Sequence, residues 1–216
     1  MSSNQRGLFV DFDGTLADTV PMLRKTYFNF LEGYGHTGSN EEFDSLMGPS
    51  LREIAGFLKD KYALQPTIDE LVQHYRDLIL EFYAQSAPMA GAPGVLQRAH
   101  EAGWAIAVVT SASERDVQEW LAHNSLDQLI AAVVGSESVS NSKPDPEPYL
   151  TALSRCACEA AQGVALEDTR TGATSAIAAG LSTFVIGPST LNAGDWPGVK
   201  GFVNSFEQLA EIILDV

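Results

Sequence analysis

"GLFVDFDGTLADT", residues 7–19, runs from an apolar stretch into two acids one residue apart, then glycine, threonine and a third acid. The apolar part, residues 7–12, reads as a buried strand. Carboxylates as close as Asp11 and Asp13 repel each other, and they coexist only beside a cation, a proton or open solvent. The rest of the chain decides among these three.

Four more apolar runs look like buried strands: WAIAVVT (104–110), AAVVG (131–135), GVALE (163–167) and STFVIG (182–187), most of them separated by helix-like segments. Strands alternating with helices predict a doubly wound α/β core, a parallel sheet with helices on both faces. One interval departs from that rhythm. About ninety residues separate the first two strands, where a crossover needs only a dozen or so. Capping boxes at Ser50–Glu53 and Thr67–Glu70 open two helices there. Ile68, Leu71, Val72, Tyr75, Leu78, Ile79, Phe82 and Tyr83 repeat with helical period, and Val20, Leu23, Tyr27, Phe30 and Leu31 form another stripe. Residues 17–86 are therefore expected to form a helical cap, inserted into a core built from 1–16 and 87–216.

Ligands of open parallel sheets bind beyond the carboxyl ends of the strands. The first run ends in Asp11 and Asp13, the second in Thr110 and Ser111, and GVALE in Glu167 and Asp168. After the third comes SNSKPDPEPY, with Lys143 stiffened by Pro144 and Pro146. Four acids, two hydroxyls and one lysine thus meet at one sheet edge. Hard oxygen donors without clustered histidine or cysteine suit Mg²⁺, which binds through one or two carboxylates plus phosphate and water. The lysine and a hydroxyl complete a cradle for a phosphoryl group. An aspartate can serve as nucleophile. A second carboxyl two positions on, in a turn relaxed by Gly14, can protonate the leaving oxygen and later activate water.

DFDGTLADT, VVTSAS, SKPDP and ALEDTRTGATSAIAAG, in that order, resemble the four motifs of the haloacid dehalogenase superfamily, whose core is Rossmann-like. The helical insertion after the first motif resembles the cap of its subgroup I, which includes phosphoglycolate phosphatases and beta-phosphoglucomutases. The resemblance implies Asp11 as nucleophile and Asp13 as general acid/base, also offering its backbone carbonyl to Mg²⁺. It implies that Thr110 or Ser111 hydrogen-bonds the phosphoryl oxygens, with Gly14 beside them, and that Lys143 holds nucleophile and phosphate. Asp168 would ligate the metal with Asp11 and Asp13, and Glu167 would do so directly or through water. True dehalogenases resemble D-x-Y at the first motif, so D-x-D implies phosphoryl transfer. Mutase relatives carry a histidine in the stretch matching DTVPMLRKTYF; Leu23 stands there, which favours water as final acceptor. LMGPSLREI (46–54) resembles a substrate-facing cap loop, where Arg52 either binds an anionic or hydroxylated leaving group or is a solvated helix arginine. MAGAPGVLQ (89–97) would rejoin cap to core with hinge freedom. The implied activity is a Mg²⁺-dependent phosphomonoesterase acting on a small phosphorylated metabolite, phosphoglycolate or a sugar phosphate leading by resemblance. A sugar-phosphate mutase and an inactive binding scaffold are the alternatives.

The composition agrees with that reading. A net charge of −15 over 216 residues argues against nucleic acid or anionic membranes as partners. No apolar run approaches the roughly 20 residues of a membrane span, and the opening MSSNQRGLFVDFDG lacks signal-peptide form. Cys156 and Cys158 read as reduced thiols, so a cytoplasmic location is expected. His36, His74, His100 and His123 are scattered and read as non-catalytic. Asp18 and Thr19 are expected to cap the first cap helix, and Arg115 to lie on the surface.

Overall fold

Six strands pair in parallel in the order β3-β2-β1-β4-β5-β6. They are β1 (Gly7–Val10), β2 (Ala105–Val109), β3 (Ala132–Val134), β4 (Gly163–Glu167), β5 (Ser182–Ile186) and β6 (Gly201–Val203). The computed structural model describes residues 5–83, 85–187 and 193–214. Central β1 is buried along its whole length, which explains its unbroken apolar sequence. Successive side chains serve opposite faces. Leu8, Val10, Ile106 and Val108 pack in one core cluster, and Phe9, Ala107 and Val109 in another. Helices α5 (Ala92–Glu101), α6 (Glu114–His123) and α9 (Phe206–Ile213) cover the first face. Helices α7 (Glu147–Arg155) and α8 (Arg170–Ala178) cover the second, where Cys156 and Cys158 lie buried as free thiols. The doubly wound α/β core is thus as expected. Edge strand β6 is an addition: three residues, of which only Val203 is buried, are too short to show a period.

The interval after β1 holds α1 (Val20–Gly33), α2 (Asn40–Ser45), α3 (Leu51–Tyr62) and α4 (Ile68–Tyr83). These helices bury a cluster of their own, built from residues such as Tyr27, Phe30, Leu58 and Leu71. Both capping boxes form, Ser50 with Glu53 and Thr67 with Glu70. Helix α2 is only six residues, NEEFDS, mostly polar, and is held at its start by the Ser39 side chain. Such a segment gives no periodic signal. The chain leaves and re-enters the core through two adjacent segments, with Asp18 N–H on the Ala87 carbonyl at 3.0 Å and Met89 N–H on the Leu16 carbonyl at 2.8 Å.

One expectation is corrected here. Thr19 precedes α1, but its side chain makes no capping bond. Its hydroxyl donates instead to Asp13 Oδ1 at 2.7 Å. Pro21 in the first turn removes one orphan N–H, which lessens the need for a side-chain cap.

Candidate active site

Register brings the acids together. Asp11 N–H bonds the Leu166 carbonyl at 3.0 Å, so the ends of β1 and β4 lie side by side. Lys143, buried in the loop before α7, reaches across this edge. Its ammonium donates to Asp11 Oδ1 at 2.6 Å, to Glu167 Oε1 at 2.6 Å and to the Val109 carbonyl at 3.0 Å. Burial alone would lower the Lys143 pKa, but the charges of Asp11 and Glu167 outweigh it and hold it above its ordinary value. The ammonium therefore stays charged.

Glu167 is fully buried, and Tyr149 on α7 donates a second bond to its Oε1 at 2.6 Å. This carboxylate is an anchor for Lys143. Gly172 in α8 makes room for it, since a Cβ there would lie 2.1 Å from the Glu167 carboxyl. Gly172→Ala is expected to shift Glu167 and Lys143 and to lower kcat about 10²-fold, the scale on which about 1 Å of misplacement acts. Steady-state kinetics alongside circular dichroism would show activity falling while helix content is kept.

Asp168 completes the acidic edge. Its Oδ1 is buried with no hydrogen-bond partner among the described residues. Oxygens of Asp11, Glu167 and Asp168 lie within 4.8 Å of one another. Burial, then the charges of Asp11 and Glu167, push the Asp168 carboxyl well above the usual carboxylate range. An orphan oxygen in a nest of hard donors fits a divalent cation of the Mg²⁺ kind. Asp168 offers the uncommitted oxygen, while Asp11 and Glu167 each have one oxygen bonded to Lys143 and a second that can face the cation.

Asp13 is held by groups that the sequence did not reveal. Tyr83, the last residue of cap helix α4, donates to both Asp13 oxygens at 2.9 Å, and Thr19 donates to Oδ1. Burial, opposed by the Thr19 bond, aided by the charge of Asp11 and opposed again by Tyr83, leaves the carboxyl raised to about 6. Tyr83 itself is held well above its ordinary pKa by burial and by Asp13, so it remains a donor. The turn between Asp13 and Thr19 needs Gly14, which has φ +86° and would place a Cβ 2.3 Å from Asp168 Oδ2. The Gly14 N–H is bonded to the Ala17 carbonyl at 2.9 Å, so what this glycine does in the structure is shape the turn.

The cap closes over this edge. Ser111 donates to the Gly48 carbonyl at 2.6 Å, Ser142 to Glu53 Oε2 at 2.6 Å, and Arg76 pairs with Asp116 through bonds of 2.6 and 3.0 Å. Thr110 is buried and accepts the Ala112 N–H at 3.0 Å, leaving its own proton to donate. A cavity of about 1100 Å³ lies between cap and core, lined by Asp11, Asp13, Thr110, Ser111, Lys143 and Arg52 among others. Arg52 sits on its rim, 67% exposed and bonded to Asp69 at 2.6 Å. Arg115 is outside the cavity, paired with Glu119 on the surface.

Known proteins resemble this chain in sequence and in fold. The phosphorylated carbohydrates phosphatase of Thermotoga maritima is 26% identical over 187 residues, spanning 85% of this chain and 86% of that protein. Protein CbbY of Rhodobacter capsulatus is 27% identical over 213 residues, 88% of each. Among solved structures, CbbY from Rhodobacter sphaeroides in complex with phosphate aligns with TM-score 0.82 and 23% identity, covering 98% of this chain and 100% of that one. A beta-phosphoglucomutase from Clostridium difficile gives 0.84 and 18%, covering 98% and 96%. These two share the fold. The sequence profile of the haloacid dehalogenase-like hydrolases matches residues 8–186, and the chain belongs to that family.

Proposed function

We propose that this hydrolase is a Mg²⁺-dependent phosphomonoesterase that works through a phosphorylated Asp11 on a small metabolite. The observation that supports it most is Lys143, whose buried ammonium fixes Asp11 at the cavity floor beside an Asp168 oxygen that has no hydrogen-bond partner among the described residues. Asp11 and Asp168, with the Asp13 carbonyl, would hold the Mg²⁺, which supplies charge neutralisation for the phosphoryl group. Lys143, by exchanging its bond to the Val109 carbonyl, and the Thr110 hydroxyl bind the phosphoryl oxygens. Asp11 attacks phosphorus, the bond to the leaving oxygen breaks, and Asp13 gives that oxygen its proton. Asp13, now ionised, takes a proton from water. The water oxygen attacks phosphorus, the Asp11–phosphorus bond breaks, and phosphate leaves with Asp11 restored. Leu23, on the cavity wall, offers no hydrogen bond to Asp13, which favours water over a sugar hydroxyl as acceptor.

Among the described residues no helix is long and apolar enough to cross a membrane. With two free thiols on the chain, we place the enzyme in the cytoplasm.

Phosphate release from a panel of phosphomonoesters, with Mg²⁺ and with EDTA, tests the reading. Metal-dependent release is expected; release unaffected by EDTA would contradict it. Tyr83→Phe is expected to lower kcat about 10-fold with little change in KM, the scale of one hydrogen bond to a charged group. An unchanged kcat would show that Thr19 alone positions Asp13.

A further inference from the structure

The two sides of the cavity differ in chemistry. The core side carries the phosphoryl machinery and a run of hydroxyls. The cap side is roofed by Leu23, Met47, Leu51, Ile54, Val72 and Ile79. Each of these packs against the cap's own buried cluster yet is only partly buried, and each faces the cavity.

The charged groups of the roof are already engaged. Arg76 forks onto both oxygens of Asp116, and Arg52 is bonded to Asp69. Glu53 Oε2 accepts from Ser50 and Ser142. Away from the reacting end, Glu53, Asp116, Glu137 and Asp145 line the cavity against only these two guanidiniums, so the wall is net negative.

Resting on the phosphomonoesterase reading, we infer that the leaving group is a neutral, largely apolar alcohol, aryl or alkyl, whose body lies against the cap roof. Laid against the apolar roof, a polyol would bury hydroxyls on side chains that offer no hydrogen bond, at about 10-fold in affinity each. A second anion would face carboxylates rather than an uncommitted cation. A two-carbon acid would leave most of the roof bare in a cavity of about 1100 Å³. An apolar body gains about fourfold per methylene covered. This departs from the phosphoglycolate and sugar phosphates that the sequence motifs suggest.

Benzyl phosphate and n-hexyl phosphate, compared with ribose 5-phosphate, glycerol 1-phosphate and phosphoglycolate, test the inference. All five release alcohols rather than activated phenols, so differences report binding of the leaving group. The wild-type enzyme with Mg²⁺ is expected to favour the first two by at least about 10-fold in kcat/KM, mainly through KM. Ile79→Gln, and the smaller change Val72→Thr should the first not fold, are expected to narrow that gap. Asp11-dependent turnover that favours ribose 5-phosphate or phosphoglycolate would overturn the inference and leave the phosphatase reading standing. A gap unmoved by either roof variant would overturn the roof as its cause. No Asp11-dependent release from any of the five would overturn both.

Discussion

Asp11→Asn is expected to lower turnover by about 10⁴-fold or more, the loss seen when a covalent nucleophile is removed. The amide keeps the size of the carboxyl but lacks its charge and its nucleophilicity, so no phosphoenzyme forms. Stability should not suffer. Asp11 is buried within reach of Glu167 and Asp168, and removing its charge relieves repulsion as well as one bond to Lys143. Phosphate release and a thermal melt on the same preparation check both parts. Wild-type turnover in the variant would remove Asp11 from the mechanism, and a collapsed melt would make its role structural.

Lys143→Met carries the second large effect, and it divides differently. Methionine fills a similar volume but brings no charge, so two buried carboxylates lose their shared cation. Breaking a buried ion pair by removing one partner destabilises by about 3–5 kcal/mol. Activity should fall about 10²–10³-fold through loss of a preorganised donor to the phosphoryl group. The double variant Lys143→Met/Glu167→Gln separates the two roles. Neutralising Glu167 should recover much of the stability while activity stays low. Denaturant unfolding and kinetics on both variants would show it; recovery of activity in the double variant would contradict the assigned contact with phosphate.

The central strands were legible because burial on both faces forces unbroken apolar runs, and their acidic ends marked the sheet edge. Asp11, Lys143, Glu167 and Asp168 could be read as one group for that reason, although they lie far apart along the chain. Tyr83 could not. Its ring keeps the apolar period of α4, so it reads as core, while its hydroxyl serves a carboxylate 70 residues away. The one available signal was its place as the last polar atom on that stripe, just before the chain re-enters the core. Thr19 looked like a helix cap because threonine before a proline-led helix usually is one. Glu167 reads as a metal ligand from its place at the strand end, and it does lie in one group with Asp11 and Asp168; that Tyr149 and Lys143 share its Oε1 is not visible in sequence spacing. Arg52 was visible as a cap arginine, but its pairing with Asp69 depends on how α3 and α4 lie together.

The most direct test of the central claim is to quench the enzyme in acid during turnover with Mg²⁺ and a phosphomonoester substrate, and to map covalent phosphate by mass spectrometry. One added phosphoryl group is expected on the peptide containing Asp11, absent from Asp11→Asn. Turnover with no covalent phosphate on that peptide, or with phosphate on another residue, would contradict it.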